Sequence, residues 1–347
     1  MSVANNEIRT QPCASCYLCG ARGEILYQGL TDRLFDVAGA WNPKQCPNPD
    51  CSLVWLDPMP IEEDIEKLYT NYLTHTAEPL FPQSDAMTFR QKLGNTLLAS
   101  GFGYKEQSQQ CWTSLLGRLV LKSRFLRERV GSTISWLDAS WGKRLIDVGC
   151  GNGEFMARMR DLGWDVVGVE PDPQAAQIGR KRYGLPIHSV TLEKAAFCSE
   201  SFDAVTMAHV IEHLRDPVST LKAAKSLLRS GGRLIIHTPN IASLGHRWFR
   251  DNWRGLEPPR HLFLFGPQAL PKIVETAGFK VLDVKTIFID SIWKLSCACK
   301  KGINPHSVPD GYAELRGRLF MFVEHLAAGW PFHLAWGEQL TLIAVKR

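Results

Sequence analysis

The run RLIDVGCGNGEFMARMRDLGWDVVGVEPD, residues 144–172, decides the fold. Arg144 to Val148 is a short apolar strand, and Gly149, Cys150, Gly151, Asn152 and Gly153 form a glycine turn. Glu154 to Gly163 reads as a helix stopped by its glycine, and Asp165 to Glu170 as a second strand ending in an acid. Strand, turn, helix and strand in about 30 residues make the repeating unit of a parallel sheet. The three glycines let the main chain pass close to a ligand, and the helix that follows offers its unpaired N–H groups there. A dinucleotide-binding GxGxxG would need glycine at 154, where Glu154 stands, and a glutamate at a helix start repels a pyrophosphate. Glu170 is placed to grip two ribose hydroxyls. The pattern predicts a nucleoside ligand without a phosphate chain.

Outward from this unit the alternation continues. A helix is expected from Pro173 to Gly184, strands over 185–190 and 202–208, a helix over 216–232 and a strand over 233–239. Asp216 reads as an N-cap, Pro217 as the first helical residue and Gly231 as the helix stop. A further helix in 266–279, a strand over 280–289 and a last strand over 340–345 complete the series. Such a chain forms a Rossmann-like, doubly wound, mostly parallel seven-stranded α/β sheet covered on both faces, with ligands at the carboxyl ends of its strands.

In IDVGCGNG (146–153), GVEPD (168–172), FDAVTMAHVIEHLRDP (202–217), LLRSGGRLIIHTPN (227–240) and PPRHLFLFGPQALPKIVETAGF (258–279), the chain resembles the class I S-adenosylmethionine-dependent methyltransferases. The resemblance covers roughly residues 143–289 and the last strand. It implies that Asp147 and the turn Gly149, Cys150, Gly151, Asn152 and Gly153 hold the methionine part of the cofactor. It gives Glu170, with Pro171 and Asp172, to the ribose, and sets Ala208 and His209 at the strand end facing the cofactor. Many members carry an acid for the adenine amino group after the third strand. Thr191 and Leu192 stand there instead, which leaves adenine to backbone and apolar contacts, with Glu193 as a substitute acid.

HVIEH, residues 209–213, matches the HxxEH of inverted zinc peptidases. That site needs a long helix, whereas here the motif follows a strand and is closed by Arg215, Asp216 and Pro217. It belongs in the loop and short helix after the fourth strand. His209, His213 and His261 are the candidate bases for an acceptor that must lose a proton, and helix capping or backbone bonding is the alternative role for each. The segment is similar to that of quinone-biosynthesis O-methyltransferases, in which a glutamate and a Glu-His pair three residues on contribute to a divalent-metal site. With His209 in place of the first glutamate, this implies a metal site at His209, Glu212 and His213.

Near the N-terminus, CYLCG supplies Cys16 and Cys19, and CPNPDC supplies Cys46 and Cys51. Four thiolates in two short-spaced pairs suit a closed, structural zinc site of a zinc-ribbon-like module. Cys13 gives the first pair a second register, but Gly20 behind Cys19 favours Cys16 and Cys19. A four-cysteine module ahead of a methyltransferase domain also resembles bacterial deoxysugar C-methyltransferases. Small-molecule, sugar and lipid-linked acceptors, methylated on carbon or oxygen, are therefore all expected classes. A zinc peptidase and a non-catalytic zinc-ribbon binding protein are the readings from other classes.

The 347 residues are 45% apolar and 22% charged with a net charge of +5, a globular composition with no basic tract for nucleic acid. The start MSVANNEIRTQPCASC has no secretory pattern and no run is long enough to span a bilayer, so a cytoplasmic location is expected. The expected domains are a zinc module over 1–60, a helical connector or lid over 61–141 and a methyltransferase domain over 142–347, with an insertion at about 291–338. The aromatic run LFMFVEHLAAGWPFHLAW in that insertion suits a helix on the sheet, a dimer contact, a hydrophobic substrate wall or peripheral membrane contact.

Overall fold

The computed structural model describes residues 7–69, 97–104, 124–287, 290–302 and 336–347. Most of the expected connector and the run LFMFVEHLAAGWPFHLAW up to residue 335 lie outside them. Seven strands build the main sheet: β1 (Arg144–Val148), β2 (Asp165–Val169), β3 (Ile187–His188), β4 (Phe202–Ala208), β5 (Leu228–Pro239), β6 (Phe279–Ile287) and β7 (Gln339–Lys346). Their spatial order is β6-β7-β5-β4-β1-β2-β3. β1 pairs in parallel with β2 and with β4, and β2 with β3. Strands buried on both faces read as unbroken apolar runs. Leu145 and Ile146 of β1, Val205 and Met207 of β4 and Leu234 to Ile236 of β5 are accordingly buried.

Helices among the described residues include α1 (Arg124–Ser132), α2 (Glu154–Asp161), α3 (Pro173–Tyr183), α4 (Pro217–Leu227), α5 (Leu244–Phe249), α6 (Ala269–Thr276) and α7 (Asp290–Lys301). Local chemistry sets their ends. The Asp172 carboxylate accepts the Gln174 and Ala175 amides at the start of α3, Pro173 takes the first helical position, and Gly184 closes the helix at φ 65°. Asp216 caps α4 through the Ser219 amide at 3.1 Å. Gly231, the expected stop of that helix, lies instead inside β5 at φ 75°. The helix ends earlier, at Leu227, because Leu228 already enters the sheet. The strand expected over 185–190 contracts to Ile187 and His188.

Two compact units divide the chain. One comprises residues 74–207, 223–235 and 345–347 and contains β1 to β4 up to Met207. The other comprises 1–73, 208–222 and 236–344. In this second unit Glu24–Ile25, Asn42–Gln45 and Val54–Asp57 form an antiparallel sheet, and Phe263–Leu264 adds to its edge with Phe263 opposite Trp55 and Leu264 opposite Val54. The N-terminal strands are thus hydrogen-bonded to a strand more than 200 residues later in the chain. A 3₁₀ helix, Glu62–Tyr69, follows them.

Candidate functional site

The glycine turn takes the conformation its composition demands. Gly149, Gly151 and Gly153 sit at φ 67°, 54° and 78°, where a side chain is strained. A Cβ on Gly151 would meet nothing within 4 Å, so this turn borders open space rather than packed protein. Gly149 and Cys150 donate to the Val169 carbonyl at 2.8 and 3.2 Å, which stitches the turn to the end of β2. Gly168 lets it settle there, because a Cβ at that position would lie 2.6 Å from the Cys150 and Met156 sulfurs.

Glu170 closes the turn from β2. One carboxylate oxygen accepts from the Gly151 amide at 2.8 Å and the other from the Asp172 amide at 2.9 Å. A carboxylate has about four lone-pair positions, so two remain open to further donors. Burial raises the Glu170 pKa against these bonds. Asp147 is fully enclosed and accepts from the Thr206 hydroxyl at 2.6 Å; burial pushes its pKa up to about 7. Burial likewise pushes the Cys150 thiol up. Thr191 precedes a short turn, Leu192–Lys194, in which Leu192 is buried.

The raised Asp147 pKa has a definite sign. Well below the ordinary aspartate value of 3.8, folded and unfolded forms both carry the proton. Between there and about 7 only the unfolded form loses it, so stability falls as pH rises, by about 4 kcal/mol in all. Asp147→Asn should therefore raise the thermal midpoint of the cofactor-free protein above pH 7 and leave it unchanged below about pH 3. Calorimetry across that range checks this, and equal midpoints at pH 8 would refute it.

HVIEH falls where its neighbours predict, with Ile211–His213 as a single 3₁₀ turn after β4. His209 has the left-handed φ of 55° and bonds oxygens at both ring nitrogens, Glu212 Oε1 at 3.2 Å from Nδ1 and Gln339 Oε1 at 3.1 Å from Nε2. Partial removal from water works against the charged ring, but the hydrogen bond and charge of Glu212 lift its pKa above the ordinary value. Glu212 is fully buried, with its second oxygen accepting from the Thr238 hydroxyl at 3.0 Å. Burial alone would raise its pKa, yet His209 and the neighbouring histidines bring it down to about 2. His209 is thus the hydrogen-bonded partner of Glu212, with both nitrogens engaged.

His261 takes the place expected of His209. Glu212, His213 and His261 bring one ligand atom each within 4.8 Å of one another, and the two imidazoles cross at 4.8 Å between centroids. The converging set is therefore not the expected His209, Glu212 and His213. His213 Nδ1 lies 2.9 Å from the Arg260 carbonyl and 2.9 Å from the Tyr69 hydroxyl. His261 Nδ1 donates to the Gly255 carbonyl at 2.7 Å, and burial drops its pKa to about 4, so it is neutral at pH 7. Main-chain acceptors meet both Nδ1 atoms, the outer arrangement typical of metal-ligating imidazoles, while His261 Nε2 lies 3.5 Å from Glu257 Oε2. Tyr69, Arg260, Gln339 and Thr238 carry no local motif and were not legible from the sequence.

A second cluster is formed by Cys16, Cys19, Cys46 and Cys51, whose sulfurs all lie within 4.8 Å of one another, with 3.7 Å between Cys16 and Cys51 and 3.3 Å between Cys19 and Cys46. Tetrahedral Zn–S bonds of about 2.3 Å require sulfurs somewhat under 4 Å apart. Gly20, at φ 73°, donates to the Cys16 carbonyl to close the first knuckle. Cys13 is not in the cluster; its amide donates to Asp57 at 2.7 Å. Burial raises Cys16 and Cys46 to about 11, so four thiolates at this spacing need a cation among them.

A parallel sheet with a left-handed glycine turn after β1 and a buried acid after β2 defines a nucleoside-binding α/β class. The family model described as "Methyltransferase domain" matches residues 118–284. The ubiquinone biosynthesis O-methyltransferase of Cereibacter sphaeroides is 32% identical over 172 residues, covering 45% of this chain and 68% of the relative. That of a Ruegeria species is 33% identical over 174 residues, with the same coverage. Among solved structures, a SAM-dependent methyltransferase from Archaeoglobus fulgidus is 18% identical with a TM-score of 0.42, covering 65% of this chain and 93% of the other. The chain belongs to the class I S-adenosylmethionine-dependent methyltransferases. No helix among the described residues is long and apolar enough to cross a membrane.

Proposed function

We propose that this enzyme methylates a phenolic hydroxyl, with Glu212, His213 and His261 on the acceptor side. The observation that carries the reading is the convergence of one buried carboxylate and two imidazoles in a chain whose relatives are O-methyltransferases. On the cofactor side we assign Asp147 and Gly149 to Gly153 to the methionine part and Glu170, with Pro171 and Asp172, to the ribose. Leu192 supplies apolar contact for adenine, and Ala208 the strand end. Bound S-adenosylmethionine supplies an electrophilic methyl: the S–CH₃ bond breaks, an O–CH₃ bond forms and S-adenosylhomocysteine departs. The chain must align the acceptor oxygen and accept its proton. His213 Nε2 is the acceptor of that proton, since its Nδ1 faces the Arg260 carbonyl. Glu212 keeps its charge and orients the site through His209 and Thr238. We further assign Cys16, Cys19, Cys46 and Cys51 to one structural zinc ion.

The donor set favours a second reading, in which Glu212, His213 and His261 hold a divalent cation; such an ion, when bound, would acidify the acceptor hydroxyl. Both readings are tested with 3,4-dihydroxybenzoate as a soluble catechol probe. His213→Ala should lower turnover about 100-fold or more while S-adenosylmethionine binds as before. Turnover within twofold of wild type would sink the assignment. Loss of activity on mild chelation, restored by Mg²⁺, selects the cation reading, and indifference to the chelator selects the base.

A further inference from the structure

We infer that the four-cysteine module is a positioning scaffold for the histidine pair, acting through a buried Asp32–Arg260 clamp; this rests on the acceptor-side role of His213 and His261. Arg260 is completely buried, and its guanidinium forks onto both oxygens of Asp32, Nη1 to Oδ2 at 2.7 Å and Nη2 to Oδ1 at 2.8 Å. Its Nε donates to Glu257 at 3.0 Å, and its plane lies 4.5 Å over the Phe35 ring. The Asp32 carboxylate also folds its own loop, accepting the amides of Leu34, Phe35 and Val37 at 3.0 to 3.2 Å. That loop spans the gap between the two cysteine pairs. It is fastened at its base by reciprocal backbone bonds of 2.9 and 2.8 Å between Leu30 and Trp41, from which Asn42–Gln45 runs directly into Cys46.

The same module grips the other side of His261. Leu56 donates to the Leu262 carbonyl at 3.0 Å, Phe263 and Leu264 pair with Trp55 and Val54, and the Leu262 amide donates to the Glu212 carbonyl at 2.8 Å. Arg260 and His261 are therefore held between a side-chain clamp and a strand pairing, both supplied by residues 30–57. What the clamp fixes is a main-chain atom, the Arg260 carbonyl, 2.9 Å from His213 Nδ1. A carbonyl only accepts, so its placement selects the Nδ1–H tautomer and leaves Nε2 its lone pair. A buried ion pair can often be exchanged for apolar residues without loss of stability, so stability alone does not account for this one. The fork of an arginine on a carboxylate specifies position and orientation, which is what a carbonyl serving a histidine needs.

The first readout of the test needs no acceptor. In long-range ¹H–¹⁵N spectra of [¹⁵N]histidine-labelled full-length protein, assigned with His213→Ala and His261→Ala, both histidines should be Nδ1–H tautomers when neutral. Asp32→Asn should turn His213 into an averaged or Nε2–H form and lower turnover of 3,4-dihydroxybenzoate about 10- to 100-fold, with the Kd for S-adenosylmethionine and zinc per chain within twofold of wild type. Should that variant not fold, Asp32→Leu combined with Arg260→Met refills the buried space without charge and should fold yet show the same loss of tautomer. An unchanged His213 tautomer with wild-type turnover in either folded variant overturns the clamp. A tautomer that changes in a protein inactive on every catechol would retain the clamp and remove the acceptor reading instead.

Discussion

Replacing Glu170 with alanine should weaken S-adenosylmethionine binding at least 100-fold, the largest effect of any single change on the cofactor side. Two losses combine. Hydrogen bonds to a charged group contribute about 1.5–3 kcal/mol each, so losing two to ribose hydroxyls costs about 3–6 kcal/mol. The same carboxylate also holds the Gly151 and Asp172 amides, so its removal frees the turn it closes. Glu170→Gln keeps the volume but presents an NH₂ to a backbone N–H and should fail nearly as badly. Burial raises the Glu170 pKa, so acidification protonates it sooner than an exposed carboxylate and affinity should decline correspondingly early. Titration calorimetry at several pH values reads both effects. Binding by Glu170→Ala within threefold of wild type would remove this residue from the site.

Cys46→Ser should empty the four-cysteine site and unfold the residues around it. The strands there are short, two to four residues each, and a core of that size cannot offset the conformational entropy of folding it. Structural zinc contributes an apparent 10–16 kcal/mol to such a module, and a site with three thiolates loses much of that. Total zinc should fall from one per chain to none, and limited proteolysis should then cut within residues 7–60. Cys13→Ser is the control, because Cys13 meets Asp57 and not the cluster. Zinc retained after Cys46→Ser, or lost after Cys13→Ser, would reject the ligand set.

The clearest elements in the sequence were those whose causes are local. The β1 strand, its glycine turn, α2 and the acid after β2 need only alternation, three positive-φ residues and a helix start, all within Arg144–Asp172. Asp172 and Pro173 mark the start of α3, and the turn residues around the cysteines mark their convergence, for the same reason. Gly231 misled because two leucines before a glycine fit a helix end as well as a strand start; only pairing in the sheet separates the two.

Sequence by itself thus determined the sheet class, the left-handed glycine turn with the acid after β2 and the cysteine pairs, because each is specified by residues close along the chain. Tertiary structure alone decided that His261 and not His209 joins Glu212 and His213, that Tyr69 and the Arg260 carbonyl meet His213, and that Phe263–Leu264 completes the N-terminal sheet. Asp32 and Arg260 are 228 positions apart, and no periodicity or propensity encodes such a pair. It exists because burying a guanidinium demands a carboxylate, and the folded chain is what brings one to it.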